Sequence, residues 1–178
     1  MELYCRSVNI FDKKIVDEFF LECKNNGMDV VPGDCSLILG KTYYKYKNFY
    51  YWYKAISKLD TETRLTKKQV GCTCFLVFDK ENDNLIGMFD LRHSLNYTNG
   101  NYLGHIGVTI RPSFRNRGLY KDLLELIILE CKYYLINPIV IACEYDNIYS
   151  KRGIDELFGD GELVLLDGSY IYVYKKYI

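Results

Sequence analysis

The sequence feature that most constrains the fold is a long amphipathic helix pattern enclosed by two strand patterns. Apolar side chains recur at spacings of three and four from Tyr120 to Leu135, which predicts a helix that begins near Arg117 and buries one face. Residues 101–110 before it read as a strand, and residues 139–144 after it read as a buried strand. A strand, a helix and a strand in this order predict a mixed α/β sheet with a crossover helix.

The flanking segments predict further strands and helices around this unit. Residues 2–9 read as a first strand, and Asp12 is the expected cap of a helix that runs to about Asn26 and stops at Gly27. The other expected elements, in chain order, are a hairpin with its turn at residues 81–84, a short helix over residues 147–158 ended by Gly159, and a closing hairpin around Asp167 and Gly168.

Charge and hydropathy limit the classes of function. Lys and Arg number 23, as do Asp and Glu, so the formal net charge of the 178 residues is zero. A chain without a global basic field is not expected to bind nucleic acid or an anionic membrane through bulk electrostatics. The longest apolar run is far shorter than the ~20 residues of a membrane span. The N-terminus also lacks the features of an export signal, so the expected location is cytoplasmic.

The seven cysteines have no spacing typical of a disulfide framework, and we expect free thiols packed as small hydrophobic groups. Cys72 and Cys74 would lie on the same face of a strand, but no second Cys or His pair is placed to complete four ligands. We therefore expect no metal site. Cys131 and Cys143 read as core residues, which argues against a covalent enzyme intermediate.

The segment 41–59 is rich in lysine and aromatic residues and has two interpretations. The five lysines could interleave with Tyr side chains and Trp52 in a surface that stacks nucleic-acid bases. Alternatively, an aromatic helix face packs on the sheet while the lysines remain in water, and the pattern favours this second interpretation. The lysines concerned are Lys41, Lys45, Lys47, Lys54 and Lys58.

The turn that precedes the long helix has the composition of a phosphate-binding site. The start of a helix leaves backbone N–H groups unpaired and carries the positive end of the helix dipole. Gly118 allows close approach of a phosphate to the backbone, while Arg115 and Arg117 add positive charge. These residues alone would be a weak signal, but the strand that precedes them and the helix that follows make it specific.

The pattern Arg115-x-x-Gly118-x-Tyr120 resembles the Gln/Arg-x-x-Gly-x-Gly/Ala signature of the GNAT superfamily of acetyl-CoA-dependent N-acetyltransferases, with Tyr120 in place of the final Gly or Ala. The segments DLRHSL, GHIGVTIRP, DNIYS and FLECKNNGMDVVPG are similar to a subgroup of predicted acetyltransferases in that superfamily. The resemblance implies a mostly antiparallel sheet of about six to seven strands with helices on both faces, as one domain over residues 1–178. It also implies acetyl-CoA as the co-substrate.

The resemblance further implies where CoA binds. The fourth strand would diverge from the fifth and offer its backbone to the pantetheine arm as if that arm were another strand. A backbone N–H of this strand, that of Val108, would stabilise the oxyanion. The residues expected to bind CoA are Val108, Ile110, Arg115, Asn116, Arg117, Gly118, Leu119, Tyr120, Asn147 and Ser150. Asn147 is equally suited to cap a helix.

The expected general base is His105, because an unperturbed imidazole pKa of ~6.5 suits proton removal from an amine. A histidine hydrogen-bonded within the core is the alternative at this position, and His93 is the second choice of base. Glu144 and Asp146 follow the fifth strand, where a carboxylate can bind the acceptor amine or act through water. A solvated strand end is the simpler interpretation of both.

A general acid for the departing thiolate is less clearly indicated. Many relatives carry a tyrosine where this chain has Ile154, and Tyr149 is the expected substitute. CoA thiolate is a tolerable leaving group, so the reaction does not require an acid.

The function expected from the sequence is acetyl transfer from acetyl-CoA to a primary amine in a ternary complex. The amine acceptor, a small molecule or a peptide, is not identified by the sequence, and a homodimer is left open. The acceptor cleft would be lined by the first helices and the loop 96–101. The first alternative is a non-catalytic domain that binds or senses acyl-CoA. An RNA-binding module that uses the lysines of residues 41–58 is the second, and it would bind in a salt-dependent way.

Overall fold

The structure of the protein is a computed structural model, which describes residues 1–62, 65–66, 69–96 and 103–178. Its elements, in chain order, are β1 (Leu3–Ser7), α1 (Lys13–Asn25), α2 (Ser36–Leu39), a 3-10 turn (Tyr43–Lys45), α3 (Phe49–Asp60), β2 (Cys72–Asp79), β3 (Leu85–Arg92), β4 (Ile106–Ile110), a second 3-10 turn (Pro112–Phe114), α4 (Leu119–Tyr133), β5 (Ile139–Glu144), α5 (Ile148–Phe158), β6 (Glu162–Leu166) and β7 (Ser169–Lys176).

The predicted strands and helices are present, with small changes at their ends. β5 has the predicted bounds, whereas α4 begins at Leu119 because Gly118, with φ of +73°, ends the preceding turn in a left-handed conformation. The strand predicted over 101–110 begins at Ile106, and residues 101 and 102 lie outside the described part of the chain.

The strands form two antiparallel ladders. One has the order β1-β2-β3-β4 and the other the order β5-β7-β6. The first ladder comes from the N-terminal part of the chain, and α4 crosses over from it to the second. The mixed, mostly antiparallel architecture predicted from the sequence is confirmed, with its seven described strands divided between two ladders.

Helices cover both faces of the larger ladder. Successive side chains of a strand point to opposite faces, so Cys72, Cys74 and Leu76 of β2 pack with α1 and α3, while Phe75 and Val77 pack with α4. The predicted placement of helices on both faces is confirmed, and each face has its own hydrophobic core.

The segment rich in lysine and aromatic residues buries one face of α3. Phe49, Trp52, Ile56 and Leu59 are buried there, and all five lysines are exposed. The side chain of Asn48 caps the helix by accepting hydrogen bonds from two backbone N–H groups. The structure supports the interpretation in which the aromatic face packs on the sheet and the lysines remain in water.

Asp12 precedes α1 as predicted but does not cap it through its side chain. Its carboxylate instead accepts hydrogen bonds from both terminal nitrogens of Arg6, at 2.7 and 2.6 Å, and from the backbone N–H of Asn9 at 2.7 Å. The bidentate pair with Arg6 orients the carboxylate away from the helix and joins β1 to the start of α1.

All seven cysteines are free thiols, as the sequence predicts. Cys35, Cys72 and Cys74 are buried together, with 3.5 Å between the Sγ atoms of Cys35 and Cys72. Burial raises the pKa of Cys131 to about 12 and that of Cys143 to about 11, so both are protonated and weakly nucleophilic at neutral pH. Within the described ranges, no three His, Cys, Asp or Glu side chains form a group that could hold a metal ion.

None of the helices in the described residues is both long and apolar enough to cross a membrane.

Candidate active site

β4 and β5 meet near their first residues and then diverge. An isolated bridge joins Gly104 to Ile141, and the backbone N–H of His105 donates to Val140 O at 2.8 Å. Beyond this point the described residues form no ladder between the two strands. The divergence expected between the fourth and fifth strands is therefore present.

The backbone of β4 offers unpaired groups to this divergence. Two hydrogen bonds flank the β3–β4 ladder, Arg92 N–H to His105 O and Arg111 N–H to Ile86 O. Together with the register, they determine which residues of β4 are hydrogen-bonded to β3. Hydrogen-bonded pairs alternate along an antiparallel ladder, so the backbone groups of Val108 and Ile110 point away from β3. Because β4 is the edge of its sheet, they point toward the gap beside β5.

A cavity of about 550 Å³ occupies the gap and joins the two faces of the sheet. It is bordered by the segment 30–45 from the face of α1 and α3, and by α4 and α5 from the other face. Its lining includes Pro32, Gly33, Ser36, Lys41, Lys45, Asp90, Arg92, Gly107, Val108, Tyr120, Cys143, Glu144, Asn147 and Ser150. The structure thus brings Val108, Tyr120, Glu144, Asn147 and Ser150, five of the residues predicted to form the site, into one cavity.

The turn before α4 presents its backbone to solvent. Residues 115–118 are exposed, with Asn116 and Gly118 at φ of +60° and +73°. Arg115 Nε donates to Ile110 O at 3.1 Å, and Arg117 Nη2 donates to Ser113 O at 2.8 Å. The two guanidinium groups therefore remain beside the helix start, where the unpaired N–H groups and the dipole favour an anion.

Six of the predicted CoA-binding residues are not among those that line the cavity. Arg115, Asn116, Arg117 and Gly118 form the exposed turn described above, and the side chains of Ile110 and Leu119 pack elsewhere. Leu119 is buried in the core, and Ile110 packs on the cluster beneath α4. Only the backbone of these residues is available to a ligand. For Leu119 this backbone lies in the first turn of α4, and for Ile110 it lies on the open edge of β4.

Tyr120 turns toward α5. The absence of a side chain at Gly153 makes room for its ring. Burial raises the pKa of Tyr120 to about 12, so the phenol is protonated at neutral pH. The side chain that departs from the family signature is thus accommodated by a glycine on the neighbouring helix.

We expect Gly153→Ala to weaken the binding of desulfo-CoA, because the new methyl group would clash with Tyr120 Cδ1 and lie 3.1 Å from Cε1. The ring would be displaced into the cavity, where it would obstruct the ligand. Overpacking of this kind lowers the free energy of unfolding by about 1–3 kcal/mol. The double variant Tyr120→Ala/Gly153→Ala should recover that affinity. Calorimetry on the complete double-mutant cycle measures the coupling, and strictly additive effects would contradict the contact.

Asn147 and Ser150 lie at the start of α5. Asn147 Oδ1 accepts a hydrogen bond from Ser150 N–H at 3.1 Å, so Asn147 caps the helix while it also lines the cavity. Tyr149, the predicted acid, is 77% exposed and is not among the cavity-lining residues. The orientation of α5 places it outward, because Ile154 occupies the buried side of the helix.

His105 is bonded in a way that does not support its predicted role as a base. Its Nδ1 accepts a hydrogen bond from Val140 N–H at 3.0 Å, which leaves the proton of the neutral ring on Nε2. Burial, assisted by the charge of Arg92, lowers its pKa to about 4. The ring therefore has no free lone pair at neutral pH, and it joins β4 to β5.

This depressed pKa predicts a loss of stability in acid. The unfolded histidine binds a proton below pH ~6.5 and the folded one only below about 4. Stability is therefore fully present above pH ~6.5 and falls as the pH is lowered. The loss at pH 4.5 should be about 2.5 kcal/mol. Urea unfolding at pH 7.5 and 4.5 measures the difference, which should shrink in His105→Asn and persist in His93→Asn. An unchanged pH dependence in His105→Asn would contradict this assignment.

His93, the second choice of base, is bonded elsewhere. Its Nε2 lies 2.9 Å from Thr73 Oγ1 and its Nδ1 lies 3.1 Å from Glu62 Oε1, while its ring stacks on Tyr134. Glu144 is exposed and lines the cavity, whereas Asp146 is exposed and outside the lining. Glu144 is thus the predicted carboxylate that the structure brings to the cavity.

Asp90 and Arg92 are two buried residues of β3 that line the cavity but are not among the site residues predicted from the sequence. Both belong to the segment DLRHSL, in which only His93 is a predicted site residue. Their alternation on a strand whose other residues are apolar was the available signal, because charged residues are rarely buried without a specific partner. Residues 97–101 of the loop expected to border the acceptor lie outside the described residues.

Comparisons with solved structures find acetyltransferases. A Salmonella typhimurium enzyme that modifies the N-terminal serine of ribosomal protein L7/L12 is 15% identical, with 100% of this chain and 96% of that chain covered and a TM-score of 0.65. The spermidine N-acetyltransferase of Vibrio cholerae, solved with CoA and spermine, is 17% identical, with 99% and 95% covered and a TM-score of 0.61. A ribosomal-protein-S5-alanine acetyltransferase from Vibrio fischeri is 13% identical, with 99% and 93% covered and a TM-score of 0.65.

No family model matches the chain, and neither does any curated protein. At these sequence identities the likeness to solved structures establishes the fold, and the fold expected from the sequence is confirmed.

Proposed function

We propose that this chain, whose fold is that of the GNAT acetyltransferases, transfers an acetyl group from acetyl-CoA to a primary amine. The observation that carries the proposal is the cavity between the diverging ends of β4 and β5, which reaches both faces of the sheet. Two substrates can meet in such a cavity from opposite sides. The acetyltransferase neighbours, among them enzymes that act on a ribosomal protein and on spermidine, support the same chemistry.

The residues present fit CoA. The exposed backbone of 115–118 and the first turn of α4 would hold the pyrophosphate, with Arg115 and Arg117 beside it. The open backbone edge of β4 at Val108 and Ile110 would pair with the pantetheine arm. Asn147 and Ser150 would contact the same arm from α5. When bound, acetyl-CoA supplies a thioester whose carbonyl carbon is open to attack by an amine.

The groups of the chain act on charge and protons. Val108 N–H points into the gap and would stabilise the negative charge that develops on the carbonyl oxygen. A primary amine with a pKa of ~10 is mostly protonated at neutral pH, so the site must accept a proton. Glu144 is exposed at the border of the cavity, where it can pass that proton to water. We assign no residue as general acid.

Calorimetric titration with desulfo-CoA and acetyl-CoA, followed by a thiol-release assay over a panel of amines, tests the proposal. We expect saturable binding of both ligands and release of CoA thiol with at least one class of amine. Binding without release from any amine would favour a domain that senses acyl-CoA. An absence of binding would contradict the proposal.

Two other expectations remain predictions. An RNA-binding module would require binding through the exposed lysines of residues 41–58 that weakens as salt is raised, and a gel-shift titration at two salt concentrations tests it. A homodimer is tested by light scattering. One spermidine N-acetyltransferase neighbour is described as dodecameric, so the same measurement should also distinguish a dimer from a larger assembly.

A further inference from the structure

Asp90 and Arg92 form a buried ion pair in the wall of the cavity. Arg92 Nη2 lies 3.0 Å from Asp90 Oδ1, and the two side chains are 5% and 2% exposed, respectively. Both line the cavity. Burial of two charges costs nearly as much as their attraction returns, so such a pair contributes little net stability. Its position beside a ligand cavity therefore points to a role in binding or chemistry.

The carboxylate of Asp90 lines the cavity opposite a glycine. Asp90 is in register with Gly107 of β4, and a side chain at Gly107 would come within 2.7 Å of Asp90 Oδ2. Because Gly107 lacks that side chain and both residues line the cavity, no β4 side chain separates this oxygen from the cavity. Oδ2 accepts one long hydrogen bond, from Cys35 N–H at 3.3 Å. A carboxylate oxygen can accept a second bond.

One N–H donor of Arg92 has no hydrogen-bond partner among the described residues. Its Nη1 donates to Gly104 O at 2.7 Å and to Leu103 O at 3.2 Å, and its Nη2 contacts Asp90. Its Nε is buried and has no hydrogen-bond partner among the described residues. Buried donors are rarely left unpaired, because the unmade bond is costly. An oxygen atom of a ligand in the cavity would supply the missing acceptor.

We propose that Asp90 is the catalytic carboxylate that binds the acceptor amine and removes its proton, while Arg92 Nε–H binds an oxygen next to that amine. The inference rests on the proposed function and names the acceptor class, an α-amino carbonyl compound such as a peptide N-terminus or an amino acid amide. A polyamine has no such oxygen, so it would leave Arg92 Nε unpaired.

The proposed transfer moves one acetyl group and removes two protons from the ammonium group. The ammonium group gives a proton to Asp90 Oδ2, and the freed nitrogen lone pair forms the N–C bond to the acetyl carbon. Asp90 passes this first proton to water, and the C–S bond then breaks with its electron pair on sulfur, which takes a proton from water. The nitrogen loses its remaining extra proton to Asp90, which releases it to water and returns to the carboxylate form. The products are the acetamide, CoA thiol and one proton.

The variant Asp90→Asn tests the first part, with Asp79→Asn as its matched control. Asp79 is also buried, at 4% exposure, but lies at the far end of β2. We expect Asp90→Asn to lower kcat/KM about 100-fold or more. It should bind desulfo-CoA normally and weaken amine binding to the loaded protein, whereas Asp79→Asn should retain turnover. Added formate should restore part of the activity of Asp90→Ala. Full turnover by a folded Asp90→Asn would overturn the assignment and leave the proposed function intact.

A comparison of glycinamide with propylamine, at equal concentrations of neutral amine, tests the acceptor class. The unaltered protein should favour glycinamide by about tenfold, the worth of a hydrogen bond to a charged group. Arg92→Lys should reduce turnover of glycinamide more than that of propylamine. Equal use of both amines by the unaltered protein would overturn the class while leaving acetyl transfer in place. No turnover of any amine would overturn both the class and the proposed function.

Discussion

Replacement of Gly118 with Glu is expected to abolish measurable CoA binding. The position has open space around it and a φ of +73°, so the cost to folding is the roughly 1–2 kcal/mol of a left-handed non-glycine residue. The carboxylate would stand at the start of α4, where the pyrophosphate is proposed to bind. Like charges 4 Å apart repel by about 4 kcal/mol at an effective dielectric constant of ~20, which is more than 100-fold in affinity. Calorimetry with desulfo-CoA measures the loss.

Gly168→Glu is the matched control. Gly168 lies in the turn between β6 and β7 with a φ of +85° and equally open surroundings, so the substitution adds the same charge and a similar backbone strain at a turn that does not line the cavity. Desulfo-CoA should bind this variant normally, and both variants should melt at similar temperatures. Normal CoA binding by Gly118→Glu would contradict the placement of the pyrophosphate.

Replacement of Trp52 with Ala should cost about 3–5 kcal/mol of unfolding free energy. The indole is fully buried, meets the rings of Phe20 and Tyr43 edge-on, and donates from Nε1 to Asp34 O at 3.1 Å. Its loss would leave a cavity beneath α3 and an unpaired carbonyl in the segment 30–45 that borders the ligand cavity. Urea denaturation followed by far-UV circular dichroism measures the change.

Tyr51→Ala provides the comparison on the same helix. Tyr51 is 55% exposed, so its truncation should alter stability by no more than about 0.5 kcal/mol. If Trp52→Ala proved as mild as Tyr51→Ala, the aromatic face of α3 would not form the core described above. The interpretation of the segment as a nucleic-acid surface would then regain weight.

Local patterns predicted most of the fold. The periodicity of α4 and the apolar run of β5 are properties of single segments, and their observed bounds differ from the predicted ones by at most a few residues. The helix that starts at Leu119 and the cap at Asn147 were predictable for the same reason. Each depends on residues within one turn of itself.

The groups proposed or predicted to be catalytic depend on contacts that no local pattern contains. His105 needs a free lone pair to act as a base, but its Nδ1 lone pair accepts a hydrogen bond from Val140 N–H, 35 residues further along the chain. No β4 side chain separates Asp90 from the cavity because Gly107 lies opposite it, a pairing set by the register of β3 and β4. A residue type can be read from the sequence, but its protonation and accessibility are set by residues brought near it in the fold.

The cavity that reaches both faces of the sheet has a kinetic consequence. Exposed residues border it on each side, with Lys41 and Lys45 at one end and Glu144 and Asn147 at the other. If the proposed substrates enter from opposite ends, they do not block one another, so neither must bind first. Initial-rate patterns should then be those of a random sequential mechanism, with an unreactive analogue of the amine as a competitive inhibitor against the amine and a noncompetitive one against acetyl-CoA.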